Sequence, residues 1–228
     1  MKLRIEVAAI DCLMVRLFDH IDEANMPWML AASQRLNEAF GAHLVELVPS
    51  YTTLMVQFDL PPGAARALIV QALDGLQPDT GKGGRRHEIP VWYDASVGPE
   101  LPVLAARSGL GEAEVIRLHS EREYPVFALG FAPGFGFMGL VDERLASPRL
   151  STPRKRVAAG SVGIAERQTA AYPAVSPGGW NLIGRTPVRL FDREREGYSL
   201  LQPGDRVRFV AVSRDEFLVM GGDAEAQG

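Results

Sequence analysis

Cysteine is almost missing from this chain, and its scarcity excludes two kinds of architecture. One residue, Cys12, leaves no internal disulfide and no cysteine-based metal cluster. Its setting in IDCLMVRL marks it as a small, buried, inert side chain. Long apolar runs are missing too: nothing approaches the roughly 18 residues that a spanning helix needs, so no membrane partner is expected. The N-terminal stretch MKLRIEVAAIDCLMVRLF interrupts its apolar residues with charge and lacks a small-residue cleavage pattern. That argues against a secretory leader and for a cytoplasmic protein. Positive charge is not in excess, with a net charge of −4 and a pI near 5.6, which argues against nucleic acid as the partner. Histidine is sparse; His20, His43, His87 and His119 lie far apart with no ligand spacing between them, so no metal site is expected.

Three catalytic signatures fail on spacing. GKGGRR lacks the phosphate-loop pattern, because position 76 is Leu and position 83 is Gly where the motif needs Gly and Ser/Thr. GSVG around Ser161 lacks the outer glycine spacing of a nucleophile elbow. No dinucleotide fingerprint occurs.

What is present is an ordinary globular balance, 46% hydrophobic and 23% charged, over a length that suits one or two domains. Residues 3–7 and 13–17 alternate as strands. Residues 21–40 repeat Trp28, Met29, Ala32, Leu36 and Phe40 at helical spacing, with Asp22 as a cap and Gly41 as the stop. Two further strands, 43–48 and 53–58, flank Pro49–Ser50. A second helix over 63–76 offers Ala64, Ala67, Leu68, Val70 and Leu73 as its buried stripe. Strand, strand, helix, hairpin, helix is close to a split βαβ order. The reading is a ferredoxin-like α+β sandwich over residues 1–85, closed by the polar break 77–86.

Residues 86–228 read differently. A strand at 87–93 and two short helices at 101–108 and 112–119 lead into short strands between Pro/Gly turns: 126–131, 160–165, 180–185, 188–191 and 206–212. This predicts a barrel-like β domain, with a loose polar tail after Met220. Its centre, residues 128–192, alternates chain-breakers with aromatics and holds four cations within Arg149 to Arg156 and no acid. Such a patch suits a small anion or an acidic partner surface.

The motifs GFAPGFGF, TPRKRVAAGSVGIAERQ and SPGGWNLIGRTP, in that order, resemble those of the family of 5-oxoprolinase B subunits, also called KipI or allophanate hydrolase subunit 1. The resemblance is dense from His119 to Asp192 and weaker over the first 85 residues. It implies an α+β protein with a ferredoxin-like N-terminal domain followed by a cyclophilin-like β-barrel. It also implies work with a homologous 5-oxoprolinase C subunit and a LamB/YcsF-type A subunit. Together these would hydrolyse 5-oxoproline to L-glutamate with ATP, the chain alone being inactive. Other members of the family are inhibitors of a sporulation histidine kinase, and related domains process urea or allophanate. Proline isomerisation, by analogy with the barrel alone, is a weak further option.

Within this frame Arg154 and Arg156, set by Pro153, are candidates to grip a carboxylate or phosphate in bidentate fashion. Arg154 is read as catalytic together with His119, a candidate proton donor at a helix end. The plain alternatives are a solvated arginine and a histidine bonding a free helix carbonyl. Gln168 can donate to and accept from a lactam. Pro133, Gly134 and Phe135 form a turn that allows close backbone approach to a ligand, or serves turn geometry alone. SPGGW reads chiefly as a structural turn that packs Trp180.

Overall fold

The computed structural model describes residues 3–79 and 83–225, and these fall into two compact units, Met1–Gly83 and Gly84–Gly228. Part of the glycine-rich break expected at 77–86 therefore lies outside the described residues.

In the first unit, β1 (Arg4–Ala9) and β2 (Cys12–Arg16) form a hairpin. Then come α1 (Met26–Phe40), β3 (Leu44–Ser50), β4 (Thr53–Phe58) and α2 (Pro62–Leu73). The strands make one antiparallel sheet in the order β1-β2-β4-β3. Alternation along β4 buries Leu54, Val56 and Phe58, and the facing strand buries Leu13 and Val15. Met29, Ala32, Leu36 and Phe40 of α1 close over them, the last with its ring centroid 6.2 Å from that of Phe58. Each such large apolar side chain contributes about 1.5–3 kcal/mol on burial.

Asp22 caps as expected, but it caps a 3-10 turn, Glu23–Asn25, that precedes α1, accepting from the Ala24 N–H at 2.9 Å. The stripe on α2 differs from the expected one. Ala65, Ile69 and Leu73 are buried, whereas Ala64, Ala67 and Val70 face solvent. PGAARALIVQAL is apolar around most of its circumference, so its periodicity does not fix which face turns inward.

The second unit begins with β5 (Arg86–Val91), α3 (Leu101–Ser108) and α4 (Glu112–Ser120). It continues through β6 (Glu123–Leu129), β7 (Gly136–Gly139), β8 (Arg154–Val157), β9 (Ser161–Ala165) and β10 (Gln168–Ala171). It ends with β11 (Ser176–Gly178), β12 (Asn181–Arg185), β13 (Arg206–Ala211) and α5 (Arg214–Val219). Seven strands run β12-β9-β10-β7-β6-β13-β5, and β8 pairs with β11 as a separate ribbon. Only β5 and β13 are parallel among the described pairs. The ends of the seven-strand sheet meet where Trp92 and Arg185 exchange two backbone hydrogen bonds, each 2.9 Å, so the sheet is a nearly closed barrel. Asp205 fixes the start of the parallel pair, accepting from the N–H groups of Arg85 at 2.8 Å and Gln202 at 2.9 Å.

β9 and β12 are buried at every residue, because the sheet there separates two cores. Val162, Ile164 and Ile183 point into the barrel with Val126, Met138 and Phe209, where α3 and α4 add Leu101, Leu104 and Val115. Ala165 and Leu182 point outward into a second cluster with Phe135, Tyr172 and Trp180. Burial on both faces produces the near-continuous apolar run SVGIA, and in NLIGR it also encloses Asn181 and Arg185, whose side chains donate to backbone carbonyls.

Three expectations need correction. Residues 188–191 are not a strand, since Pro187 removes a ladder donor and only the Phe191–Ser199 bridge forms. The apolar Leu190 there serves the barrel core. α5 is a helix beyond those expected, although Ser213 and Glu216 form a complete capping box at its start. The tail, expected to be loose, is ordered over 221–225, and residues 226–228 lie outside the described set.

Closure demands glycine at two points. A Cβ on Gly98 would sit 2.2 Å from the Ile183 carbonyl carbon, and one on Gly184 would sit 2.8 Å from both the Trp92 carbonyl oxygen and Val91 Cγ1. Gly98→Ala is therefore expected to destabilise the chain by at least about 2 kcal/mol in urea unfolding. Gly111→Ala, with open space around the added methyl and an ordinary φ of −79°, should lose only the N-cap preference for glycine over alanine, about 1 kcal/mol or less.

Candidate functional site

The basic run TPRKRV becomes β8, which pairs with the SPG strand β11, Gly178 opposite Arg154 and Ser176 opposite Val157. Beside it β12 brings Arg185 directly opposite Ser161 of β9. Between them opens a cleft of about 620 Å³ lined by Arg154, Lys155, Arg156, Ser161, Arg185 and Glu225, with Val97, Pro99, Val157, Ala158 and Leu182 among its apolar lining residues. A cationic rim over apolar walls suits a small organic anion better than a bare ion.

The cations differ in availability. Arg154 donates to a Glu100 carboxylate oxygen through Nη2 and to the Trp180 carbonyl through Nη1 at 3.4 Å. The other Glu100 oxygen accepts from the Leu182 N–H at 2.9 Å, and the Glu100 N–H donates to the Leu182 carbonyl at 3.0 Å. Arg154 is thus a strut tying β8 to the start of α3 and to β12. Arg156 and Lys155 are exposed and make no ion pair among the described residues. Arg149 lies outside this lining, with its guanidinium carbon 5.9 Å from the centroid of the Trp180 ring.

His119 is not part of this cleft. It has no exposed surface and lies among Tyr93, Tyr124 and Phe209, its ring stacked on Phe209 at 4.7 Å. Its Nδ1 is 2.7 Å from the Tyr93 hydroxyl, its Nε2 is 2.8 Å from Thr169 Oγ1, and Thr169 Oγ1 is 3.1 Å from the Gly163 carbonyl oxygen. A carbonyl only accepts, so Thr169 donates to it and Nε2–H donates to Thr169. Nδ1 then accepts from Tyr93, and one tautomer of a neutral imidazole follows from the chain of partners. Burial lowers the His119 pKa to about 3 and raises that of Tyr93. In this structure His119 is a core residue that joins α4 to β10 through polar contacts.

Gln168 opens β10, opposite Gly139 and Ala165, away from the cleft. In the Pro133–Gly134–Phe135 turn, Pro133 is exposed, and Gly134 has φ 83° with Phe191 Cβ 2.8 Å from where its own Cβ would be. Phe135 is buried in edge-to-face contact with Tyr172 at 5.2 Å and Trp180 at 5.6 Å. The structure therefore gathers Arg154 and Arg156 at one place and leaves His119, Gln168 and the turn outside it. The sequence reading passed over Lys155, Arg185 and Glu225, and weighed Ser161 only as a hydrolase nucleophile, which its spacing excluded. Lys155 lay inside the basic run and Arg185 inside LIGRTP, but only the β9–β12 register sets Arg185 against Ser161. Among the described residues no three His, Cys, Asp or Glu side chains come together to hold a metal.

Fold and cleft together define a two-unit α/β protein whose second unit is a nearly closed barrel carrying a cation-rimmed cleft. The family described as carboxyltransferase domain, subdomain C and D, matches residues 3–201, and the chain belongs to that family. It is 37% identical over 229 residues to the 5-oxoprolinase B subunit of Bacillus subtilis (strain 168), covering 95% of each chain. It is 43% identical over 189 residues to the 5-oxoprolinase B subunit of Escherichia coli O157:H7, covering 80% of this chain and 83% of that one. Among solved structures, TTHA0988 superposes with a TM-score of 0.78 at 39% identity, over 90% of this chain, which spans only 40% of that longer one. The K. lactis urea amidolyase, at 17% identity and a TM-score of 0.77, covers 95% of this chain with 15% of its own and shares the fold alone.

The buried histidine gives a pH dependence with a defined sign. With a folded-state pKa near 3 against 6.5, the unfolded chain takes up a proton that the folded chain refuses, so stability is lost as pH falls from about 6.5 towards 3. The His119 contribution to the slope of unfolding free energy against pH approaches about 1.4 kcal/mol per unit in that window. Urea unfolding at pH 7, 6 and 5 should show His119→Gln less sensitive to acid than the parent. Equal slopes would place the titration on other groups.

Proposed function

We propose that the chain is the B subunit of a 5-oxoprolinase, acting in a complex that opens the lactam of 5-oxoproline with water to give L-glutamate. The observation that carries this reading is the 37% identity to the Bacillus subtilis protein of that name over 95% of both chains. The reading includes ATP as the co-reactant whose hydrolysis drives lactam opening, a cytoplasmic location, and partners of the C and A types. We read the N-terminal sheet as a ferredoxin-like sandwich whose edge strand β1 comes from the start of the chain, and the second unit as a cyclophilin-like barrel.

The cleft supports a binding role. 5-Oxoproline is a small ring bearing one carboxylate, and the cleft offers apolar walls beneath Lys155 and Arg156. An ammonium and a guanidinium without ion-pair partners among the described residues can hold that carboxylate through charge-assisted hydrogen bonds. Opening the lactam also requires attack on a carbonyl carbon and a proton for the leaving nitrogen. Glu225 is the one acid, and no histidine appears, among the described residues lining the cleft. In this reading the groups that perform the attack come from another polypeptide of the complex.

Co-expression with candidate C and A subunits, followed by an assay of 5-oxoproline-dependent ATP hydrolysis, tests the proposal. Turnover only when all three are present is expected, and none from the full set would overturn it. Arg156→Ala should raise KM for 5-oxoproline about tenfold or more while leaving the melting temperature nearly unchanged. Arg154→Ala should act through the fold, since it leaves the largely buried Glu100 carboxylate without its cation, and is expected to lower stability by about 1–3 kcal/mol.

A further inference from the structure

The cleft holds more positive charge than its walls neutralise, and the chain itself places acidic residues beside it. Arg185 is only 6% exposed, yet its guanidinium is satisfied mainly by the end of the chain. Nε donates to the Ala159 carbonyl at 3.0 Å, Nη1 donates to the Glu225 carbonyl at 3.0 Å, and Nη2 faces the Asp223 carboxylate at 3.5 Å. Residues 221–225 are folded onto the unit by several contacts. The Gly222 N–H donates to the Phe217 carbonyl at 2.9 Å, and Ala224 packs on the cluster of Trp92, Val97 and Phe217. Asp223 also accepts from the Glu225 N–H at 2.9 Å, turning the segment back so that Glu225 lines the cleft.

What the segment gives Arg185 is a carbonyl oxygen and a carboxylate, the same acceptors that a bound carboxylate or phosphate would present. The charged part of its hold is modest, because Asp223 is half exposed and its contact to Arg185 is long, while the Glu225 carbonyl at 3.0 Å and the packing of Ala224 hold the segment more firmly. Lys155 and Arg156, on the same cleft, make no ion pair among the described residues. An acceptor set supplied by the chain itself inside a cation-rimmed cleft occupies the place that an anionic ligand would take.

We infer that residues 223–225 form a built-in acidic strap over the cleft and compete there with a small anion of carboxylate or phosphate type. Release of the strap exposes Arg185 as a third cationic contact beside Lys155 and Arg156. The inference rests on reading the cleft as an anion site, and it adds control of access to that site.

The test measures binding of 5-oxoproline and of inorganic phosphate, separately, by calorimetry at low ionic strength, where exposed charges are least screened. Three proteins are compared: the full chain, a chain ending at Gly222, and the full chain with Asp223→Asn and Glu225→Gln. The double substitution keeps the backbone contacts and removes only charge, so it reports even if the shortened chain folds poorly. The shortened chain should bind at least one probe about fivefold tighter or more, with the double variant in between. Arg156→Ala in the shortened chain should remove most of the gain. A response to 5-oxoproline alone identifies a carboxylate site, and a response to phosphate alone a phosphate site. Equal affinities in all three proteins would overturn the strap while leaving the cleft as a site. Tighter binding by the intact chain would make the segment a wall and overturn the competition. No binding of either probe to any of the three would overturn the anion site itself. Each of these outcomes is separate from the turnover assay of the three-component complex.

Discussion

The second unit depends on one seam. Trp92 and Arg185 join the two ends of a seven-strand sheet through a reciprocal pair of backbone hydrogen bonds, and that closure leaves the sheet no open edge there. It succeeds only because Gly98 and Gly184 let backbones approach to distances that a side chain would forbid. The same residue that closes the sheet through its backbone sends its guanidinium into the cleft. Barrel closure and site geometry are thus two consequences of where Arg185 falls. Glu100 extends the arrangement, holding the start of α3 to β12 while pairing with Arg154 of β8.

Much of the architecture was legible because local pattern and tertiary demand agree in it. β2 and β4 alternate, α1 repeats its apolar residues at helical spacing and stops at Gly41, and the second unit's glycine- and proline-punctuated strands do form a barrel. The failures occur where one pattern serves two masters. α2 is apolar nearly all round, so its phase is set by the sheet it meets. The run 188–191 has strand-like apolar residues, but it fills the core with Leu190 and never joins the ladder. The tail looks loose by composition, yet one small residue, Ala224, and two acidic positions settle it against Trp92 and Arg185.

The candidate site was half legible. A cation run between chain-breakers pointed to the strand β8, and Arg156, chosen by residue type, lies exposed on the cleft. The same argument chose Arg154, whose charge is committed to a nearly buried carboxylate 54 positions away in sequence. It also chose His119, whose partners Tyr93 and Thr169 lie 26 and 50 positions away. No local signal distinguishes a histidine that will be satisfied by distant hydroxyls from one that will meet a ligand. Arg185 illustrates the converse: its importance arises from strand register, which a linear reading does not contain.

The parallel pairing of β5 with β13 bears on how the molecule is made. These strands lie near the two ends of the second unit, yet they run side by side from Arg86 opposite Arg206 to Val91 opposite Ala211. A ribosome delivers the first of them more than a hundred residues before the second. During synthesis β5 must wait without its one ladder partner, and the barrel cannot close until that last strand has left the exit tunnel. A contact of such long sequence separation is slow to form and leaves an open strand exposed meanwhile. The charged residues of RHEIPV, the sequence of β5, are suited to that interval, since charge on a waiting strand discourages pairing with the wrong chain.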